Sequence, residues 1–107
     1  MVSSRQFLNR ELVYEVLDQE YFHVLVTGGR RGADRMAEQF AIDRDIQLQV
    51  HLPQFRKHGK AAYRKHYEAI LQNCDRLIVF WDGMARGPKQ SLEMAKALGK
   101  SYRTVMY

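Results

Sequence analysis

The sequence predicts an α/β fold with a mainly parallel sheet. Three observations carry this. Two nearly continuous apolar runs, 23–28 (HVLVTG) and 76–81 (RLIVFW), are rich in β-branched and aromatic residues, as strands covered on both faces are. Around them lie segments whose apolar residues recur at helical spacing, so strand and helix alternate along the chain. Each apolar run leads through a glycine-bearing turn into a helix, and ligands of such folds bind at the carboxyl ends of the strands.

A short first strand is expected at Met1 to Ser3. Leu8, Leu12, Val13, Val16 and Leu17 then share a helical face, with Asn9 placed to cap it. After the strand at 23–28, Ala33, Met36, Ala37, Phe40 and Ala41 form one apolar helical face. Residues 46–52 (IQLQVHL) alternate between apolar and polar, the pattern of an edge strand with one wet face. Residues 53–61 (PQFRKHGKA) are the longest irregular stretch and read as a loop. Tyr63, His66, Tyr67, Ile70 and Leu71 give the next helix, followed by the strand at 76–81. Ser91 to Leu98 is helical, with Gly99 as its stop signal, and YRTVMY closes the chain as a strand. The order is β-α-β-α-β-α-β-α-β.

The length of 107 residues fits one domain spanning 1–107. With 46% hydrophobic and 27% charged residues the composition is that of an ordinary globular chain. No apolar run approaches the ~20 residues that cross a bilayer, so no membrane association is expected. The first residues, MVSSRQFLNRE, carry no apolar signal-peptide core. A single cysteine, Cys74, allows no internal disulfide and reads as a small buried residue, so a cytoplasmic location is expected. The net charge of +5 favours an anionic partner. The basic residues are scattered, which argues against a disordered nucleic-acid-binding arm.

The segment GGRRGAD, Gly28 to Asp34, sits at a strand end. Gly28, Gly29 and Gly32 let the backbone turn sharply and let a phosphate approach its N–H groups. The following helix directs unpaired N–H groups to the same point. Arg30 and Arg31 can add charge-assisted hydrogen bonds, and Asp34 can cap the helix or accept from a ribose hydroxyl. A tight turn without a ligand is the plain alternative, and the spacing is not the dinucleotide fingerprint GxGxxG. A second such loop, 80–90 (FWDGMARGPKQ), holds Gly83, Gly87, Arg86 and Lys89. Its Trp81 is either a stacking surface for a base or a core residue. Ser4 and Arg5 precede the first helix as a third polar turn. In the irregular stretch, Phe55, His58, Lys60 and Arg64 can form one wall of the same crevice. His23, His51, His58 and His66 show no metal-binding spacing, so neither a metal nor a cofactor is expected.

The residues VTGGRRGADRMAEQFA, HGKAAYRK and NCDRLIVFWDGMARGPKQ resemble the YspA-like branch of the SLOG superfamily. The resemblance runs from about Ser3 to Val105. The family's opening GSRDF appears here as Ser3-Ser4-Arg5-Gln6-Phe7. The resemblance implies a three-layer, Rossmann-like α/β domain with a five-stranded, mainly parallel sheet in order 3-2-1-4-5. It also implies a pocket for a nucleotide or nucleotide-derived ligand, including ADP-ribose, NAD-related and cyclic nucleotide messengers of prokaryotic and phage conflict. The positions carried over are Ser4, Arg5, Gly28, Gly29, Gly32, Asp34, Trp81, Asp82, Gly83 and Gly87, to which chemistry adds Arg30, Arg31, Arg86 and Lys89. Three departures stand out. Only Met1 and Val2 precede the opening signature, so the first strand is short. His66 stands where asparagine is usual, and Pro88 replaces a threonine after Arg-Gly.

The related Lonely-guy phosphoribohydrolases cut the base from a nucleoside monophosphate with the glutamate of PGGxGTxxE. In that alignment Ser91 takes the glutamate's place, and Glu93 lies about 200° around the helix. The leading expectation is therefore a non-catalytic sensor or sequestering protein for a small anionic nucleotide. N-glycosidic hydrolysis and single-stranded DNA binding are the alternatives. Exposed edge strands and the alternating YRTVMY make a homo-oligomer the expected assembly.

Overall fold

The computed structural model describes the backbone of residues 2–3, and residues 9–30 and 32–107 in full. Leu8 of the first helical face, and Ser4, Arg5 and Arg31 of the candidate site, lie outside the described residues. In chain order the elements are β1 (Val2–Ser3), α1 (Arg10–Gln19), β2 (Val24–Thr27), α2 (Ala33–Asp43), β3 (Gln47–Val50), α3 (Phe55–His58), a 3-10 turn (Gly59–Ala61), α4 (Ala62–Gln72), β4 (Arg76–Trp81), α5 (Arg86–Ala97) and β5 (Ser101–Met106).

The fold is mixed α/β with short strands, and every described strand pair is parallel. The strands fall into two hydrogen-bonded groups, β2-β3 and β1-β4-β5. The expected single five-stranded sheet in order 3-2-1-4-5 is not formed as one ladder: among the described residues no strand pairing joins β2 to β1. β1 reaches only the upper half of β4, pairing Val2 with Val79 and Ser3 with Phe80. β5 pairs with β4 along its whole length, from Arg76–Ser101 to Trp81–Met106.

The continuous apolar runs arise because β2 and β4 are covered on both faces. Leu25, Ile78 and Phe80 join α1 and α2 in one core that includes Val13, Val16 and Phe40. The alternate residues Val26, Leu77 and Val79 join α4 and α5 in a second core with Ile70, Leu71 and Leu92. The Asn9 side chain caps α1 by accepting from the Leu12 N–H at 3.1 Å. Gly99, at φ 68°, ends α5. There Gly99 N–H donates to Lys96 and Lys100 N–H to Ala95, which closes the last turn.

Two sequence expectations are corrected. The stretch at 53–61 is not irregular: α3 and the 3-10 turn fill most of it. One helical turn with no buried residue has no periodic apolar face to reveal it. α5 begins at Arg86, five residues before the expected Ser91. Gly87 and Pro88, which read as loop signals, both lie in its first turn. Proline is tolerated there because that N–H needs no intrahelical partner.

At the amino ends of β2 and β4 a cavity of about 410 Å³ is lined by Leu17, Val24, Leu25, Cys74 and Ile78, among others. Cys74 is half-buried, and burial pushes its thiol pKa up. Glu20, which also lines this cavity, pairs with Arg76 and with Arg103. The cavity lies at the opposite end of the strands from both glycine turns.

Candidate functional site

The first turn grows out of β2, and three of its features fix its shape. Gly29 and Gly32 hold positive φ, 67° and 88°, where glycine is the residue of least strain. A Cβ on Gly29 would meet Leu52 at 2.5 Å and Val50 at 2.7 Å, so the end of β3 packs directly on the turn. A Cβ on Gly28 would stand 2.7 Å from the His66 ring and 3.2 Å from the Asp34 carboxylate.

His66 comes from α4 and is buried. Its Nε2 lies 2.6 Å from the His51 carbonyl and 3.1 Å from the Gly28 carbonyl. Two acceptors require a proton on Nε2, so this nitrogen donates to both. Nδ1 is left as a buried acceptor with no partner. Burial lowers the pKa of the ring, which favours the neutral form.

Asp34 is 4% exposed, and it does not cap α2; Gly32 occupies that place. Its Oδ2 instead accepts from the Arg30 N–H at 3.2 Å, while Oδ1 has no partner. Burial raises its pKa from 3.8 to about 6, against the pull of that backbone N–H. One helical turn on, Glu38 also has a buried oxygen without a partner, and burial raises its pKa too. Thr27 Oγ1 and Arg30 Nη1 complete the set. The buried, unpartnered side-chain atoms identified among the described residues therefore all belong to β2's end, its turn, the first two turns of α2, and the helix that clamps the glycine turn.

The second turn follows β4. Asp82 Oδ1 accepts from the N–H groups of Met84 and Ala85, and Gly83 takes φ 86°. Trp81 is half-buried against the second core, and its indole N–H donates to the Ala85 carbonyl at 2.9 Å. Trp81 and Asp82 thus close their own loop. A Cβ on Gly87 would collide with the Tyr67 hydroxyl. Consecutive residues of α4 therefore meet the first glycine turn and the first turn of α5, His66 at Gly28 and Tyr67 at Gly87. Neither α2 nor α5 has a side-chain cap, in contrast to α1.

The cations are less gathered. Arg86 and Lys89 are exposed at the start of α5, and Lys60 is exposed in the 3-10 turn. Arg64 is exposed and pairs with Glu68 at 3.5 Å. His58 is half-buried at the end of α3. Phe55, at the other end of α3, meets Tyr63 edge to face, with ring centres 5.3 Å apart. Arg30 in turn lies 5.1 Å over the Tyr63 ring. Ser91, which takes the place of the phosphoribohydrolase glutamate, is buried and donates to the Pro88 carbonyl, while Glu93 is exposed.

Sequence reasoning missed Thr27, Glu38 and Tyr63 as site residues and used His66 only as a departure from a family pattern. The one available signal was that departure, a histidine in place of an asparagine. Among the described residues no group of three or more His, Cys, Asp or Glu side chains could hold a metal ion. Nor is any described helix long and apolar enough to cross a membrane.

A family model, described as the YspA, cpYpsA-related SLOG family, matches residues 2–58. The match contains the first glycine turn, Asp34 and α3, and stops short of the second turn. No curated protein and no solved structure matches the chain.

Proposed function

The chain belongs to the YspA, cpYpsA-related SLOG family, and from that premise we propose that it binds a nucleotide or nucleotide-derived anion where β2 and β4 end. One observation carries this reading: buried polar atoms without partners gather around the glycine turn, on Thr27, Arg30, Asp34, Glu38 and His66. Leaving such an atom unsatisfied costs about 1–3 kcal/mol. A cluster of them is the state of a site whose missing partners a ligand brings. Their chemistry is mixed in the way a nucleotide requires. Arg30 offers N–H to phosphate, as do the uncapped starts of α2 and α5. Asp34 and the bare Nδ1 of His66 accept from hydroxyl groups.

The protein acts on this reading as a sensor or sequestering protein for a nucleotide messenger, in a single Rossmann-like domain. Leu25, Ile78 and Phe80 share one core, which supports one continuous five-stranded sheet in order 3-2-1-4-5. Asp34 favours a second reading. A buried carboxyl whose pKa is raised to about 6 is suited to proton transfer, so cleavage of an N-glycosidic bond is the competing activity.

Calorimetry against AMP, NAD, ADP-ribose and cyclic dinucleotides, with mass spectrometry of the recovered ligand, tests both. Saturable binding with the ligand returned intact is expected. Release of free base would replace the sensor reading with the hydrolase. Binding that survives simultaneous loss of Arg30 and Asp34 would overturn this site.

A further inference from the structure

We infer that the base of the bound nucleotide sits on a ledge made by Phe55, Tyr63 and Arg30, so that the site selects a nucleobase-bearing ligand over a bare sugar phosphate. This rests on the nucleotide reading above and names a part of that site which Trp81 was expected to supply.

The outer end of the ledge is α3. This four-residue helix buries none of its side chains. Its Phe55 is 50% exposed and so contributes little to the core. Leu52, just before it, is also exposed while packing over Gly29. Phe55 and Leu52 thus extend an apolar surface from the glycine turn outward, and apolar area left in water is unfavourable by about 25 cal/mol per Å².

The ledge is also held in place. Tyr63, from the first turn of α4, meets Phe55 at an interplanar angle of 74° and a centroid distance of 5.3 Å. Such an edge-to-face pair fixes ring orientation. Arg30 reaches out of the glycine turn and lies 5.1 Å over the same Tyr63 ring. A guanidinium plane so placed can itself stack on a base. The three side chains run without interruption from the phosphate-binding turn to α3, so a nucleotide whose phosphate meets the turn brings its base over Phe55. Basic Arg56 and Lys57, next on α3, keep the surroundings favourable to an anion. Trp81 is committed elsewhere, with its indole N–H tied to Ala85 and its ring against the second core.

AMP and ribose 5-phosphate differ by the base alone, so their affinities separate the ledge from the turn. Calorimetry with both, on the wild type, Phe55→Ala and Phe55→Trp, tests the inference. The expected result is that Phe55→Ala weakens AMP roughly 5- to 150-fold, the range of one base stacked on an aromatic ring. Ribose 5-phosphate should bind all three proteins equally, and Phe55→Trp should restore AMP. Thermal melting checks the fold, which a half-exposed residue is not expected to disturb. Equal weakening of both ligands, or of neither, overturns the ledge while leaving the glycine-turn site standing. Failure of the wild type to bind AMP overturns the ledge as a site for the base of AMP, and failure to bind any of AMP, NAD, ADP-ribose and cyclic dinucleotides overturns both readings together.

Discussion

The Nε2 of His66 lies 2.6 Å from the carbonyl oxygen of His51, at the point where the chain leaves β3. The same nitrogen also donates to Gly28, so one proton of α4 holds the glycine turn against the end of β3. Replacing His66 by Leu leaves both carbonyls without that donor. We expect a loss of roughly 2–6 kcal/mol in denaturant unfolding, from an unsatisfied group cost of about 1–3 kcal/mol for each of the two carbonyls. Nucleotide binding should weaken as well, because the turn loses its clamp. A variant that keeps wild-type stability would show that the turn is held by other contacts.

The histidine also sets a pH response. Its folded pKa is lowered from the ordinary 6.5 by burial. As pH falls below 6.5, the unfolded chain takes up this proton more readily than the folded one, and stability declines. Asp34 works in the opposite sense. Its folded pKa of about 6 stands above the ordinary 3.8, so the folded state binds the proton first between pH 6 and 4. Stability therefore rises on acidification across that window, and the full cost of the buried charge is present above pH 6. Asp34→Asn should be more stable than the wild type at pH 7–8 by on the order of 1–3 kcal/mol. The gap should close as pH approaches 4. Thermal melts of the two proteins from pH 4 to 8 check this, and a constant gap would refute it. The same variant should bind nucleotide more weakly, because the buried charge that destabilises the fold is the acceptor the ligand requires.

Gly87 is needed for the approach of α5 to α4. Its absent side chain is the space that the Tyr67 hydroxyl fills. Gly87→Ala should therefore cost about 1–3 kcal/mol, the range for overpacking a well-packed contact. Tyr67→Phe removes the clashing oxygen. In the double variant the two losses should add to less than their sum, and a double-mutant cycle by chemical unfolding measures the difference. Strict additivity would mean that the helices separate instead of clashing.

These residues show which parts of the fold the sequence could reveal. β4 was legible to the residue, Arg76 to Trp81, because burial on both faces makes the strand apolar throughout. The cap at Asn9 and the stop at Gly99 were legible because each acts within one helical turn. α3 was not, since a single turn without a buried face carries no period. Gly87 misled for a different reason. It is a glycine because of Tyr67, which is near in space and twenty residues away in sequence. The site shared this limit. The glycines and Asp34 lie in one short stretch and announce a turn, but Gly28 and His66 are 38 residues apart. The orphaned atoms of Thr27 and Glu38 are defined by burial alone, which no local pattern encodes.

Trp81 gives the last test, because the loop it closes and the base it was expected to stack make different demands. Its indole N–H holds the Ala85 carbonyl, and Asp82 holds the N–H groups of Met84 and Ala85. Trp81→Leu removes the hydrogen bond and part of the packing against the second core. Stability should fall by roughly 1–3 kcal/mol, as for other losses of a partly buried contact with a hydrogen bond. AMP affinity should stay within about twofold of the wild type, since a base stacked on the lost ring would instead cost about 1–3 kcal/mol of binding. Calorimetry on this variant beside Phe55→Ala compares the two rings directly. Should Trp81→Leu lose AMP while Phe55→Ala retains it, the base belongs over the second turn, and the exposed ring of Phe55 would need another explanation.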